Sequence, residues 1–273
     1  MNIFANKTAV ENDIETDYIP SGFAVLETDT YPGEIKAVYI SDAQNSKAQA
    51  VNFIIKLDNG TEFKQQIWVS NKAGELTYKD KTTGKPKNLP GYMQVDAIAM
   101  LLVGKIMSKL DTDDRTLNLY DFTAKKEMPK VVPCFVELHN VRGNFDIQKQ
   151  QVAVTKKNDA GVYVPNGEVK DINELIKAYP EDKFCTITEV TEFIKSLGGT
   201  LNSILDQGQM AKAVANMPAE KCRYHPQWLE LNKGKTRIID KPTAGAGAGG
   251  EGRAFTPSAG STDAAAAAAD LFA

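Results

Sequence analysis

Trp68, Lys64 and Lys56 fall on one side of a segment that alternates apolar and polar residues. Tyr78 follows closely, set among Lys72, Lys79, Lys81, Lys85 and Lys87, and Tyr39 and Tyr92 bracket the region. Flat rings interleaved with ammonium groups suit a particular chemistry. The rings stack on unpaired bases, each stack contributing about 1–3 kcal/mol, while the cations track phosphates. Stacking accepts any base, so such a surface would hold a single strand without reading its sequence. The same residues also fit a plainer use, with Trp68 capping a core edge and Tyr78 anchoring a hairpin.

Other motifs lack the context their chemistry needs. Gly245-x-Gly247-x-x-Gly250 matches a dinucleotide fingerprint by letter, but no strand–helix–strand unit can follow it. Gly234-Lys235-Thr236 resembles the end of a phosphate-binding loop, yet Leu229 stands where the first glycine belongs. Cys134, His139, Cys222 and His225 offer two thiols and two imidazoles, and Cys222 to His225 has C-x-x-H spacing. Cys134 sits inside a strand pattern, where a buried free thiol is the commoner use. Asp113-Asp114 reads as a solvated turn. No metal, cofactor or catalytic residue is therefore expected, and the chain reads as a non-enzyme.

The elements that would position the rings and lysines begin with a hairpin. Residues 50–57 (AVNFIIKL) and 61–69 (TEFKQQIWV) flank Asp58-Asn59-Gly60, a strong hairpin signal. A two-residue loop would set Val51, Phe53, Ile55 and Leu57 beside Glu62, Lys64, Gln66 and Trp68. A three-residue loop sets them beside Phe63, Gln65 and Ile67 and pairs Lys56 with Glu62, so this register is expected. The opposite face then carries Asn52, Ile54, Lys56, Lys64, Gln66 and Trp68. Residues 33–41 read as a preceding strand, with Ile35, Ala37 and Tyr39 on one face and Lys36, Val38 and Ile40 on the other. Residues 71–91 hold five lysines, three glycines and two prolines, which predicts a basic arm or hairpin. Residues 93–110 carry apolar positions at helical spacing. Strand patterns resume at 116–122, 131–138 and 145–155. A helix is expected near 188–197, stopped by Gly198-Gly199, and a weaker one after Leu201. Three strands, a helix and two or three more strands fit a mainly β, α+β chain: an oligonucleotide-binding (OB-fold-like) five-stranded barrel with a capping helix and extra C-terminal helices. An SH3-like barrel or an open α+β sheet fits the same order.

Composition and charge bound the rest. The 273 residues carry a net charge of −3, which argues against a uniformly basic nucleic-acid coat. Residues 1–30 hold one Lys against six acids, whereas residues 31–131 hold 15 basic and 12 acidic residues. A local groove, not the whole molecule, would have to attract a polyanion. Three cysteines suit a reducing interior and not a disulfide scaffold. The start of the chain lacks a basic segment followed by an apolar run, so no secretion signal is expected. No apolar stretch reaches membrane-spanning length. Residues 31–240 are expected to form one domain, preceded by the acidic segment 1–30. Residues 241–273, about half Gly and Ala, read as a flexible, disordered tether. The tether ends in Asp270, Leu271 and Phe272, an apolar tip with negative charge that suits docking into another protein.

The stretch GEIKAVYISDAQNSKAQAVNFIIKLDNGTEFKQQIWVSNKAGELTYKD, then a Pro-Gly turn and a helix, resembles bacteriophage single-stranded DNA-binding proteins of the short-tailed-phage type. YDFTAKKEMPKVVPCFVEL, NFDIQKQQ and VYVPNGEV are similar to the same group, and the likeness spans about residues 30–240. The resemblance implies a barrel that coats and protects single-stranded DNA, independently of sequence, in the host cell cytoplasm during phage replication, recombination and repair. It implies that the sheet-face aromatics and the basic arm bind DNA, and that the tail recruits replication proteins. This tail departs from the acidic tails of that group, being Gly/Ala-rich with a net charge of only −1. Self-association is left open. The alternative expectation is a protein-interaction or structural phage module whose lysines are merely solvated.

Overall fold

A computed structural model describes residues 25–121, 124–157, 159, 163–200 and 207–239. The expected tail from residue 241, with Asp270, Leu271 and Phe272, lies outside the described residues, as does most of the acidic N-terminal segment.

Among the described residues the chain is mostly β, built on a large antiparallel sheet with four α-helices. Its first three strands are β1 (Asp29–Asp42), β2 (Gln49–Leu57) and β3 (Glu62–Trp68), joined as a meander. The β2–β3 register is the one that the three-residue loop predicts, with Lys56 opposite Glu62, Ile55 opposite Phe63 and Val51 opposite Ile67. Gly60 takes the left-handed backbone (φ 90°) that closes this turn. One expectation for β1 fails. A register shift between Ile35 and Ala37 inverts the alternation, so that Val38 meets Phe53 in the core. Tyr39 thereby turns to the opposite face, beside Asn52.

Between β3 and the first helix stands a short arm, β4 (Thr77–Lys79) paired with β5 (Pro86–Asn88), which confirms the expected hairpin. Helix α1 runs Pro90–Val103, earlier than the expected 93–110, because Gly104 adopts a left-handed C-cap (φ 73°). The chain continues through β6 (Thr112–Asp121), β7 (Lys126–Phe135), β8 (Arg142–Lys157) and β9 (Tyr163–Pro180). Three more helices follow: α2 (Ile187–Ser196), α3 (Gln207–Asn216) and α4 (Tyr224–Asn232). The last strand is β10 (Arg237–Ile239), parallel to β8. Sequence patterning did not reveal β9 or α4.

The main path of the sheet is β10-β8-β1-β2-β3, with β9 paired to β8 and the β6–β7 hairpin joined to β1. The sheet stays open. Among the described residues no ladder joins β3 to β9, so a closed five-stranded barrel is not observed. Side chains bridge these two edges instead. Gln65 of β3 accepts the Leu175 N–H of β9 at 3.0 Å, and Gln94 of α1 donates to the Leu175 carbonyl at 2.7 Å.

Helix α1 is apolar on two sides because it separates two cores. Val95, Ile98 and Ala99 pack on the sheet with Val38, Phe53 and Phe145. Met100 and Leu101 face the other way, into a helical core with Val190, Phe193, Ile194 and Met210. The sheet's other face, free of α1, is left for the polar residues of β1, β2 and β3.

Candidate nucleic-acid interface

Trp68 lies at the end of β3, opposite Ala50, with 48% of its surface exposed. The alternation that buries Phe63, Ile67 and Val69 turns Lys64, Gln66 and Trp68 outward. The close seating of α1 fixes this end of the strand. A Cβ at Gly91 would collide with the Trp68 carbonyl oxygen, so only glycine lets the helix begin there. Among the described residues the indole has no hydrogen bond, stacked ring or cation partner. Tyr78 is 38% exposed and its ring is equally unengaged.

The basic arm divides the lysines by face. Tyr78 stands opposite Lys87 on one side, while Lys79 stands opposite Pro86 on the other. Lys87 is ion-paired to Asp80. That contact, with the Thr83 backbone N–H, holds the Asp80 carboxyl well below the usual carboxylate range. Lys72, Lys79, Lys81 and Lys85 are exposed, and none is ion-paired among the described residues. Lys64 is less available, lying 3.0 Å from Glu62 and 3.8 Å from Glu127. Lys56 is further removed, at the Asn59-Gly60 turn, where it donates to the Gly60 carbonyl. Along β2, Lys56 and the Ala50–Trp68 pair are six residues apart, about 20 Å. Trp68 therefore stands at the far end from that turn, next to the arm.

Tyr39, which brackets the region in the sequence, and Lys47, which was not expected, both join the surface. The register shift places Tyr39 on it. Burial raises the phenol pKa, while Lys64 and Lys130 nearby oppose that rise. Lys47, in the β1–β2 loop, is exposed and tied to the arm, its backbone N–H donating to the Lys72 carbonyl at 3.1 Å. Two expected members withdraw. Asn52 is buried and donates to Ser41 Oγ at 2.8 Å. Tyr92, which the sequence sets beside the region, packs against the sheet core.

The four residues weighed as a zinc set are dispersed. Cys134 is buried in β7 with its thiol directed to the Val132 carbonyl, and His139 Nδ1 lies 3.1 Å from Asn140. Cys222 borders the helical core, and His225 stacks on Phe184 with ring centroids 4.1 Å apart. Among the described residues no three His, Cys, Asp or Glu side chains converge to hold a metal.

A second polar cluster escaped sequence reasoning because its members are far apart in the chain. Asp146 is wholly buried and accepts from Thr30 Oγ1 and Tyr179 Oη, both at 2.6 Å. His225 Nε2 lies 2.9 Å from the same Thr30 hydroxyl. Burial pushes the Asp146 carboxyl up to about 6 and depresses the His225 pKa. Both carboxylate oxygens are engaged internally. The cluster thus ties β1, β8 and β9 to α4 and presents no exposed reactive group.

Among known proteins, no family model matches the chain and no curated relative is detected. Among the described residues, no helix is long and apolar enough to cross a membrane.

Proposed function

We propose that this protein binds single-stranded DNA without sequence preference and without catalysis. Trp68 and Tyr78 stack on bases, and Lys47, Lys72, Lys79, Lys81 and Lys85 neutralise phosphates. The observation that carries the reading is two exposed, unengaged rings beside lysines that no carboxylate occupies. A ring with an internal partner gains little by stacking on a base, and a paired lysine must first lose its partner. The order β1-β2-β3, helix, β8-β9 also supports it. With β4–β5 and β6–β7 set aside as insertions, that order is compatible with an oligonucleotide-binding barrel, although the sheet is open and only side chains such as Gln65 bridge β3 to β9. Protection of unwound DNA in phage replication, recombination and repair follows from the resemblance noted above. Recruitment of replication proteins falls to residues 270–272.

A polarisation titration with fluorescent oligo-dT tests the reading. Wild-type protein is expected to bind, and Trp68→Ala to weaken binding by about tenfold or more, the equivalent of one lost stack. Tyr78→Ala should act in the same direction, with thermal melting little changed in both because neither ring belongs to the buried core. No binding by wild type, or unchanged affinity in both variants, overturns the proposal in favour of an interaction module.

A further inference from the structure

The β6–β7 hairpin is a large element with almost no core. From Asp111 to Pro133, no described residue is fully buried. Tyr120, Met128 and Val131 are 50%, 36% and 67% exposed. A two-stranded ribbon of this kind is marginal by itself in water, and here it joins the sheet through a single bridge, Tyr39 opposite Cys134. Its direction is informative. Glu127, near the tip, comes within 3.8 Å of Lys64 on β3. β2 lies between β1, where the hairpin is rooted, and β3. The hairpin therefore leans across the polar face that carries Tyr39, Lys64 and Trp68.

Asp113 and Asp114 sit near the root with Arg115. At the tip Lys125 and Lys126 are exposed and neither is ion-paired among the described residues, whereas the acids there, Asp121 and Glu127, lie against Lys130 and Lys64. Lys130 is held by Asp121 at 2.8 Å. A basic tip and an exposed tyrosine on a ribbon bent over a basic, aromatic sheet face make a second wall to one cleft. The geometry points to the β6–β7 hairpin as a jaw that clasps the single strand against the sheet, with Tyr120 stacking on a base and Lys125 and Lys126 contacting phosphate. This rests on the function proposed above and assigns it a further site, on an element that neither the lysine-rich arm nor the β2–β3 hairpin supplies. The occupant is a single strand because the strand alone offers both a π-face for Tyr120 and a phosphate for the tip.

The test compares Tyr120→Ala and the pair Lys125→Asn with Lys126→Gln against wild type and Trp68→Ala, using fluorescent oligo-dT at several salt concentrations. Asn is chosen at 125 because that residue has a left-handed backbone (φ 54°), which Asn tolerates. Tyr120→Ala is expected to lower affinity about tenfold. The double lysine variant should flatten the slope of log K against log salt by about 1.4, since each phosphate contact on a single strand contributes about 0.7. Hairpin variants that bind with wild-type affinity and slope, while Trp68→Ala still weakens binding, overturn the jaw and leave the sheet-face reading standing. Absence of binding by the wild-type chain overturns both.

Discussion

A carboxylate with no exposed surface is an expensive group, and Asp146 shows how this chain accommodates one. Thr30 and Tyr179 donate to its two oxygens at 2.6 Å, and His225 closes the cluster from α4. Burial still dominates, raising its pKa from 3.8 to about 6. The folded chain holds this proton more tightly than the unfolded chain does. The resulting stability is fully present below about pH 4 and is lost as pH rises through about 6. Asp146→Asn removes that dependence. The stability of wild type relative to Asp146→Asn should therefore improve by roughly 1 kcal/mol between pH 8 and pH 5. Urea unfolding of the two proteins at both pH values measures it, and a gap independent of pH would mean that the carboxyl is solvated. His225 works the other way, because burial depresses its pKa and acid must charge it against the fold. Because His225 Nε2 lies 3.8 Å from Asp146 Oδ1, the comparison is made again in a His225→Gln background, where position 146 is the titrating difference.

Among the elements, one side chain links the starts of helices α2 and α4. Glu189 closes a capping box with Thr186 at the start of α2, accepting the Thr186 N–H at 2.7 Å. Its other oxygen accepts the N–H groups of Arg223 and Tyr224, at 2.6 and 2.8 Å, at the start of α4. Glu189→Ala strands several donors at once in a site where Glu189 is only 7% exposed. The expected loss is on the order of 3 kcal/mol in urea unfolding. Glu189→Gln, which keeps an acceptor, should lose less. A loss below about 1 kcal/mol for Ala would show that water replaces the carboxylate. None of this was legible in the sequence, because Glu189 and Arg223 are brought together only by tertiary packing. What was legible is local. The β2–β3 register followed from alternation and turn length, and the outward setting of Trp68 followed from that register. Strand β9 was missed because Pro165, Gly167 and five charged residues break its pattern, although β8 supplies its ladder. Tyr39 was assigned to the wrong face because one irregularity after Ile35 reverses every side chain beyond it. Lys47 was invisible as a site residue because its neighbour is the arm, reached through a loop.

Across the whole molecule, a net charge of −3 gives no general attraction for a polyanion, so affinity must come from where the charges lie. The acids of the basic region are largely engaged. Asp80 holds Lys87, Asp121 holds Lys130, and Glu62 holds Lys64. Lys47, Lys72, Lys79, Lys81 and Lys85 remain exposed and without an ion pair among the described residues, on the arm that carries Tyr78 and the loop beside it. Five phosphates neutralised on a single strand set a slope of log K against log salt of about −3.5, and the two hairpin lysines would steepen it to about −5. A protein that attracted the strand only through stacking would show almost no slope. The measurement is an oligo-dT titration at salt concentrations from well below to well above physiological, read by polarisation. A slope near zero would remove the lysines from the site even if Trp68→Ala weakened binding. A slope near −3.5 would locate the contacts on the arm and β1–β2 loop without the hairpin. The steeper value requires both walls of the cleft to hold the strand together.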